Sequence, residues 1–259
     1  MSGVNLVTYY AATIFEGSLG LSPFLSRLLA ACNGTEYFIA SWIAIFTIER
    51  FGRRKLMLFG AAGMSATMCI LAGATSNVSN KACALVATVM LFVFNSFFAV
   101  GWLGMTWLYP AEVTPLSIRA PANAIATTAN WAFNFMVVMV TPVAFANIAW
   151  RTYIIFAVIN AAMVPSVYFF FPETAGRSLE EMDEIFHKTT NPFNCVQIAR
   201  DLPHRYDKRG NLLIDYNDTE EARDVERRRS SVTGAPPGIM GAEKYDREHN
   251  EKIGNGSGI

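Results

Sequence analysis

The sequence predicts an all-α membrane protein: six transmembrane helices, then a short amphipathic helix and a disordered tail. The first observation is charge, because residues 1–171 carry 12 charged side chains whereas residues 172–259 carry 30. Soluble domains are charged at about a quarter of their residues, so the first region needs lipid to cover it. The second observation is that most of the apolar runs reach the ~20 residues that cross a bilayer.

Six spans can be placed in order along the chain. They cover residues 3–21, 28–48, 56–77, 82–110, 120–146 and 152–171. The connections at 49–55 and 112–119 hold five Lys or Arg residues, while the opposite connections hold only Arg27, Lys81 and Arg151. Because positive charge is retained on the cytoplasmic side, this bias predicts that 49–55, 112–119 and the C-terminal tail are cytoplasmic.

Three regions follow from these patterns: a six-span bundle at 1–171, an amphipathic helix at 172–190 and a tail at 191–259. In the second region, apolar residues at 179, 182, 185 and 186 share one helical face behind a Ser178 cap. We expect this helix to lie at the cytoplasmic membrane surface. From about residue 210 the tail has few large apolar residues, which predicts that it is largely disordered.

The cysteines and histidines show no pattern of a metal site. The four cysteines are scattered without CxxC spacing, and the three histidines do not cluster. This distribution predicts neither bound metal nor a disulfide framework. No phosphate-binding loop or nucleophile arrangement is present either, so we expect no enzyme, no cofactor and no nucleic-acid partner.

Three short motifs between the spans resemble one known family. They are Glu-Arg-Phe-Gly-Arg-Arg at 49–54, Pro-Ala-Glu at 110–112 followed by Arg119, and Pro-Glu-Thr-Ala-Gly-Arg-Ser at 172–178. With Gly-Val-Asn at 3–5 and the Tyr pair at 9–10, they resemble the sugar porter family of the major facilitator superfamily. The resemblance covers residues 3 to about 186.

Within that family, the resemblance aligns with the carboxy-terminal half, helices 7 to 12 of twelve. It implies a second, amino-terminal six-helix half as a partner, with the substrate site between the two halves. The stretches at 101–110 and 119–123 are similar to the fungal branch that carries hexoses and polyols.

Neutral hydroxyls are bound well by amides, which both donate and accept hydrogen bonds without a buried charge. Asn130 and Asn134 share a helical face near mid-membrane, and the resemblance implies sugar binding at Asn5, Asn134 and Trp107. Amides that only join helices are the alternative. The candidate substrate-binding residues are Asn5, Tyr9, Tyr10, Glu36, Tyr37, Trp107, Asn130, Trp131 and Asn134.

Glu36 is the one acid well inside an apolar span, where carboxylates are costly. Four roles stay open from the sequence: contact with substrate, tuning of a proton, exposure to an outer vestibule, or pairing with Arg27. Protons are a candidate co-substrate, as in a symporter. The proton acceptor usual in this family lies in the amino-terminal half, so these residues do not establish the coupling.

The resemblance also implies that the charged motifs form a cytoplasmic gate, whose side chains pair across helix ends in one state and separate in the other. Anchoring of the topology alone is the alternative. Exposed pairs contribute only ~0–1 kcal/mol each, which suits a switch between nearly balanced states. The predicted gate residues are Glu49, Arg53, Arg54, Glu112, Arg119, Glu173 and Arg177.

The function we expect is transport of a monosaccharide or polyol by alternating access, in an integral multi-pass protein of the plasma membrane. We expect this chain to be part of a twelve-helix porter. Two alternatives are a transporter-like nutrient sensor that signals through its tail, and a truncated product without transport activity.

Overall fold

The computed structural model describes residues 2–18, 20, 22–76, 81–115, 118–189, 191 and 194–202, which fall within the unit Met1–Pro203. The regular elements of these residues are helices. The α-helices are α1 (Val4–Thr13), α2 (Pro23–Phe51), α3 (Arg53–Ser76), α4 (Lys81–Phe98), α5 (Met105–Val113), α6 (Arg119–Ile148), α7 (Arg151–Phe170), α8 (Leu179–Lys188) and α9 (Cys195–Asp201). Two π-helices, Ile14–Ser18 and Ala99–Leu103, follow α1 and α4.

Five stretches of the described chain are long and apolar enough to cross a membrane: Pro23–Phe51, Arg53–Ser76, Lys81–Val113, Arg119–Ile148 and Arg151–Phe170. They correspond to the second to sixth predicted spans. The first predicted span, 3–21, differs. It contains the ten residues of α1 and the five of the first π-helix, fewer than the ~20 that an α-helical span needs. Two residues after this π-helix, Gly20 has a left-handed φ of 65°, a conformation that does not continue an α-helix.

Helix α3 is the most buried of the five spanning stretches and packs chiefly against α4 and α7. Its contact with the second π-helix is made by glycines. A Cβ on Gly101 would lie 2.6 Å from the Cα of Gly60, so the two backbones touch directly. Such close approach through small residues is how membrane helices gain packing contacts, since lipid supplies no hydrophobic drive between them.

Helices α2 and α6 bury little of their surface within the described residues. Only 11% of the most apolar stretch of each is buried. Large apolar side chains therefore cover their outer faces, including Trp42, Phe46, Phe135 and Met139. These faces need lipid or another apolar surface to cover them.

Helix α8 forms where an amphipathic helix is predicted, and it begins with a capping box. The Ser178 hydroxyl accepts from Glu181 N–H, and the Glu181 carboxylate accepts from Ser178 N–H. Its apolar residues Met182 and Ile185 are buried against Cys195 and Ala199 of α9.

Helix α9 is an ordered element inside the region predicted as tail. The sequence does not indicate it, because seven residues carry too little periodicity and its stability comes from packing on α8. The rest of the predicted tail, from residue 203 on, lies outside the described residues.

Candidate functional site

A cavity of about 380 Å³ lies beside α1, at the level of its first two turns. Helices α2, α4, α5, α6 and α7 and the second π-helix complete its wall. Seven of the nine predicted substrate-binding residues line it: Asn5, Tyr9, Tyr37, Trp107, Asn130, Trp131 and Asn134. The described lining includes no Lys, Arg, Asp or Glu, so the cavity is neutral.

The three amides come from two helices. Asn5 lies in the first turn of α1, while Asn130 and Asn134 lie one turn apart on α6 and share its face. The Oδ1 atom of Asn134 is buried and accepts no hydrogen bond within the described residues. Because an unsatisfied buried acceptor costs ~1–3 kcal/mol, this oxygen is a strong candidate to receive a ligand hydroxyl.

Aromatic rings form the apolar part of the wall. Tyr9, Trp107 and Trp131 keep more than half of their surface exposed, which leaves their ring faces available for contact. Tyr37 stacks on Phe98, with ring centroids 6.3 Å apart and planes 24° apart. Ring faces beside amides suit a molecule that has both C–H surfaces and hydroxyls.

Several lining residues were not predicted from the sequence, namely Ser2, Thr8, Trp102 and Thr106. Trp102 is oriented by donating its Nε1–H to the carbonyl of Met57 at 3.1 Å. The hydroxyl residues give no signal in the sequence, since Ser and Thr in membrane helices commonly bond to their own backbone, as Thr106 does to the carbonyl of Trp102.

Asn160 positions the start of α1 from outside the cavity wall. It is fully buried in α7, and its Nδ2–H group donates to the carbonyls of Ser2 at 2.8 Å and Phe156 at 2.9 Å. The chain then turns at Gly3, whose φ is 94°. This anchor places Asn5 against the cavity.

Two predicted residues, Tyr10 and Glu36, lie outside this cavity. The Tyr10 hydroxyl donates to the carbonyl of Val138 at 2.9 Å and joins α1 to α6. Adjacent side chains on an α-helix point about 100° apart, so Tyr9 and Tyr10 do not share a surface. Glu36 lies between α2 and α4, where it accepts a hydrogen bond from the Ser96 hydroxyl and makes no ion pair within the described residues.

A second cluster, at the charged end of the bundle, brings together four of the seven predicted gate residues, Arg53, Arg54, Glu112 and Glu173. Arg53, at the start of α3, pairs with Glu112 near the end of α5, with Nη2 2.9 Å from Oε1. Both side chains are less than one-fifth exposed. The other oxygen of Glu112 accepts from the Thr174 hydroxyl at 2.5 Å, so this carboxylate joins three segments.

Glu173 acts differently from the side-chain pairing that the sequence predicts. Its carboxylate caps α3, accepting from the backbone N–H groups of Arg53 at 2.7 Å and Arg54 at 3.2 Å. The first N–H groups of a helix have no internal partners and carry partial positive charge, so a carboxylate is favoured there. Gly52, with φ 85°, permits this approach, because a Cβ there would lie 2.6 Å from Glu173 Oε2.

The side chains of the other three predicted arginines bond to backbone carbonyls rather than to acids. Arg54 donates to the carbonyl of Tyr168, and Arg119 donates to the carbonyl of Thr114. Arg177 donates to the carbonyls of Ala199 and Leu202 at the end of α9. Glu49 is exposed and makes no hydrogen bond or ion pair within the described residues.

Burial and nearby acids act on the pKa of Arg177 in opposite directions. Burial lowers the pKa of the guanidinium, while the nearby acids Glu181 and Glu184 raise it. Arginine still carries its charge at neutral pH, since its ordinary pKa is far above that range. The cation therefore meets the partial negative end of α9, an arrangement that stabilises a helix C-terminus.

The family model for "Sugar (and other) transporter" matches residues 1–186 of this chain. The chain belongs to the sugar transporter family. The match covers every predicted site residue and every residue that lines the cavity.

Fungal members of the sugar transporter family are among the similar proteins. The MFS-type transporter oryC of Aspergillus oryzae is 40% identical over 79% of this chain and 39% of its own length. The sugar transporter STL1 of Saccharomyces cerevisiae is 37% identical over 86% of this chain and 40% of its own length. The high-affinity glucose transporter of Kluyveromyces lactis is 31% identical over 87% of this chain and 44% of its own length. The chain thus spans about two fifths of the length of these curated relatives.

Solved structures of the xylose transporter XylE share the fold. XylE bound to 6-bromo-6-deoxy-D-glucose, described as a proton:xylose symporter, superimposes with a TM-score of 0.63 at 28% identity, over 71% of this chain and 39% of XylE. The inward-open form of XylE from E. coli superimposes with a TM-score of 0.56 at 26% identity, over 71% of this chain and 42% of XylE. The predicted all-α major facilitator fold is therefore confirmed, and this sugar transporter family member is an integral, multi-pass membrane protein.

Proposed function

We propose that this protein carries a neutral monosaccharide or polyol across the membrane by alternating access, with no covalent chemistry. The observation that supports this most strongly is the cavity beside α1. It combines three amides with exposed aromatic rings and contains no charged side chain in its described lining. A sugar offers hydroxyls to the amides and C–H faces to the rings, whereas a charged substrate would find no counter-ion.

We assign the chain to the carboxy-terminal half of a twelve-helix porter, paired with an amino-terminal half. Two observations support this assignment. The chain spans about two fifths of its relatives, and α2 and α6 leave wide apolar faces uncovered. In transporters built from two repeats, substrate binds at their interface, and the halves rock around it.

The gate residues fit the same mechanism. The Arg53–Glu112 pair and the Glu173 cap join α3, α5 and the segment after α7 at one end of the bundle. We propose that this end is cytoplasmic, together with the tail, and that its contacts hold one state of the cycle. The proposed location is the plasma membrane, and protons are the proposed co-substrate.

Equilibrium binding to the protein in lipid nanodiscs tests the site. The variant Asn134→Ala removes the amide whose Oδ1 has no internal partner, so we expect roughly tenfold weaker binding of a neutral hexose or polyol, the effect of about one lost hydrogen bond. Fluorescence of Trp107 and Trp131 in the cavity wall reports binding.

Asn147→Ala is the matched control. Asn147 also lies on α6, but its amide donates to the carbonyl of Val143 and does not line the cavity. Equal affinity in the wild type and both variants would remove the assignment of Asn134.

Sequencing the native transcript upstream of Met1 tests the assignment to a twelve-helix porter. Six further spans in frame are the expected result. A transcript that starts at this Met codon would instead favour the truncated product, and uptake that depends on a tail-bound signalling partner would favour the nutrient sensor.

A further inference from the structure

Two polar contacts join α2 and α4 outside the sugar cavity. Asn33 and Asn95, each 2% exposed, are bonded through Asn95 Nδ2–H, which donates to Asn33 Oδ1 at 2.9 Å. One turn further along α2, Glu36 Oε1 accepts a hydrogen bond from the Ser96 hydroxyl. These four residues are called the α2–α4 polar layer below.

Two acceptor atoms of this layer have no donor. Glu36 Oε2 and Asn95 Oδ1 are both buried and accept no hydrogen bond within the described residues. A carboxylate in an apolar span is costly, and so is an amide oxygen without a donor. One proton on Glu36 Oε2 removes the charge and creates an O–H donor in the same layer.

A cavity of about 400 Å³ lies beside the carboxyl group. Its wall is formed by residues of α2, α4 and the second π-helix that do not line the sugar cavity: Cys32, Thr35, Glu36, Ile39, Ala40, Ile43, Ser96 and Val100. This second cavity is separate from the one that we assign to the substrate.

No charged group of the described chain faces the carboxyl across this cavity. Helix α4 presents Ser96 and the second π-helix presents Val100, and neither titrates. On α2, the Cys32 thiol is the other titratable group in the wall, and Arg27 lies nine residues earlier, ~13 Å along the axis. A proton is therefore the cation that this geometry favours.

We propose that Glu36 is a proton-binding site of this protein, held by the α2–α4 polar layer and separate from the sugar cavity. A proton from water adds to the Glu36 carboxylate on binding and returns to water on release. The site is linked to the sugar cavity by neighbouring residues. Tyr37 follows Glu36 on α2, Phe98 lies two residues after Ser96 on α4, and these two rings stack in the wall of the sugar cavity. This link to transport rests on the proposed function, whereas proton binding itself does not.

Infrared difference spectroscopy between acidic and alkaline pH tests the site in the full protein, reconstituted in proteoliposomes. The carbonyl stretch of a protonated carboxylic acid is separate from the bands of a carboxylate. Exposed acids also protonate at acidic pH, so the band to follow is the high-frequency component that a desolvated carboxylic acid gives. We expect this component in the wild type and its loss in Glu36→Gln. Glu16→Gln is the matched control, because Glu16 is an exposed acid in the first π-helix and its removal should leave the band.

Ser96→Ala gives a second readout that keeps the carboxyl group. Loss of the Ser96 donor should shift the frequency of the band without removing it. A band that persists in Glu36→Gln, or a wild-type protein without any such band, would overturn the proposal. Sugar-induced Trp fluorescence on the same samples separates the two hypotheses: a Glu36 band without sugar binding contradicts only the proposed function, and sugar binding without the band contradicts only the proton site.

Discussion

Because Gly52 has no side chain, the Glu173 carboxylate can reach the start of α3 and accept a hydrogen bond from Arg53 N–H, 120 positions away in the sequence. Gly52 ends α2 with φ 85°, a region that non-glycine residues avoid. The space left by its missing Cβ is filled by the Glu173 carboxylate, which caps α3. The glycine is therefore needed both for the turn and for the cap.

Gly52→Ala should destabilise the protein by about 1.5–5 kcal/mol, because strain of ~1–3 kcal/mol at φ 85° and ψ 168°, a conformation essentially limited to glycine, adds to loss of the α3 cap, worth ~0.5–2 kcal/mol. Gly176→Ala is the control, since Gly176 also has a positive φ, 70°, but a Cβ there meets nothing within 4 Å. Thermal unfolding of the two variants in the same detergent makes the comparison. Equal losses of stability would show that the Glu173 contact contributes nothing.

For single residues, the sequence predicts which residue types suit the site better than it predicts where each side chain points. Asn5, Asn134 and Trp107 reach the cavity as expected. Tyr10 does not, because tertiary packing decides which side of α1 faces the cavity. Two adjacent tyrosines give no indication of which one lies on that side. Glu173 meets backbone N–H groups instead of a guanidinium for the same reason: the partner depends on where a distant helix begins.

Among the elements, the crossing of α3 and the second π-helix is the closest backbone contact involving a glycine pair. A Cβ on Gly101 would lie 2.6 Å from Gly60 Cα and 2.7 Å from the carbonyl of Leu56. Neither neighbour is a flexible side chain. The two elements cannot separate locally without loss of the packing around Met57 and Met105.

Gly101→Ala should therefore cost about 1–3 kcal/mol of stability, the range for overpacked cores. Gly104→Ala is the control, because a Cβ there meets nothing within 4 Å and its φ is −74°. We expect the control to be neutral or slightly stabilising. The melting temperatures of the two variants in the same detergent make the comparison. A Gly101→Ala protein as stable as the wild type would contradict the close approach.

The Arg53–Glu112 pair joins two elements and should be energetically coupled. Because both side chains are largely buried, a double-mutant cycle with Arg53→Met and Glu112→Gln should give a coupling energy of about 1–2 kcal/mol. The exposed Lys188–Glu184 pair within α8 should give only ~0.3–0.5 kcal/mol. Similar values for the two pairs would mean that the gate pair behaves as an ordinary surface contact.

The helical spans were largely predictable, because length and apolar content carry that information directly. The two π-helices were not, since they differ from α-helix only in hydrogen-bond register. The second π-helix nevertheless supplies Trp102 and Leu103 to the cavity wall. Helix α9 was missed because its stability depends on α8 rather than on its own sequence.

In the molecule as a whole, burial is uneven in a way that fits a half-porter. Helix α3 is half buried in its most apolar stretch, whereas α2 and α6 are only 11% buried. The neutral cavity lies on the side where α1, α2 and α6 meet. An opposing bundle on that side would close the site around a substrate and cover apolar surface as well.

The most direct test of the proposed transport is uptake of a radiolabelled neutral hexose or polyol into proteoliposomes that contain the complete protein. Saturable uptake is expected, with inhibition by other neutral sugars or polyols, no inhibition by sugar phosphates, and a marked decrease in Asn134→Ala but not in Asn147→Ala. Uptake no greater than in protein-free vesicles, or uptake unchanged by Asn134→Ala, would contradict transport through this cavity.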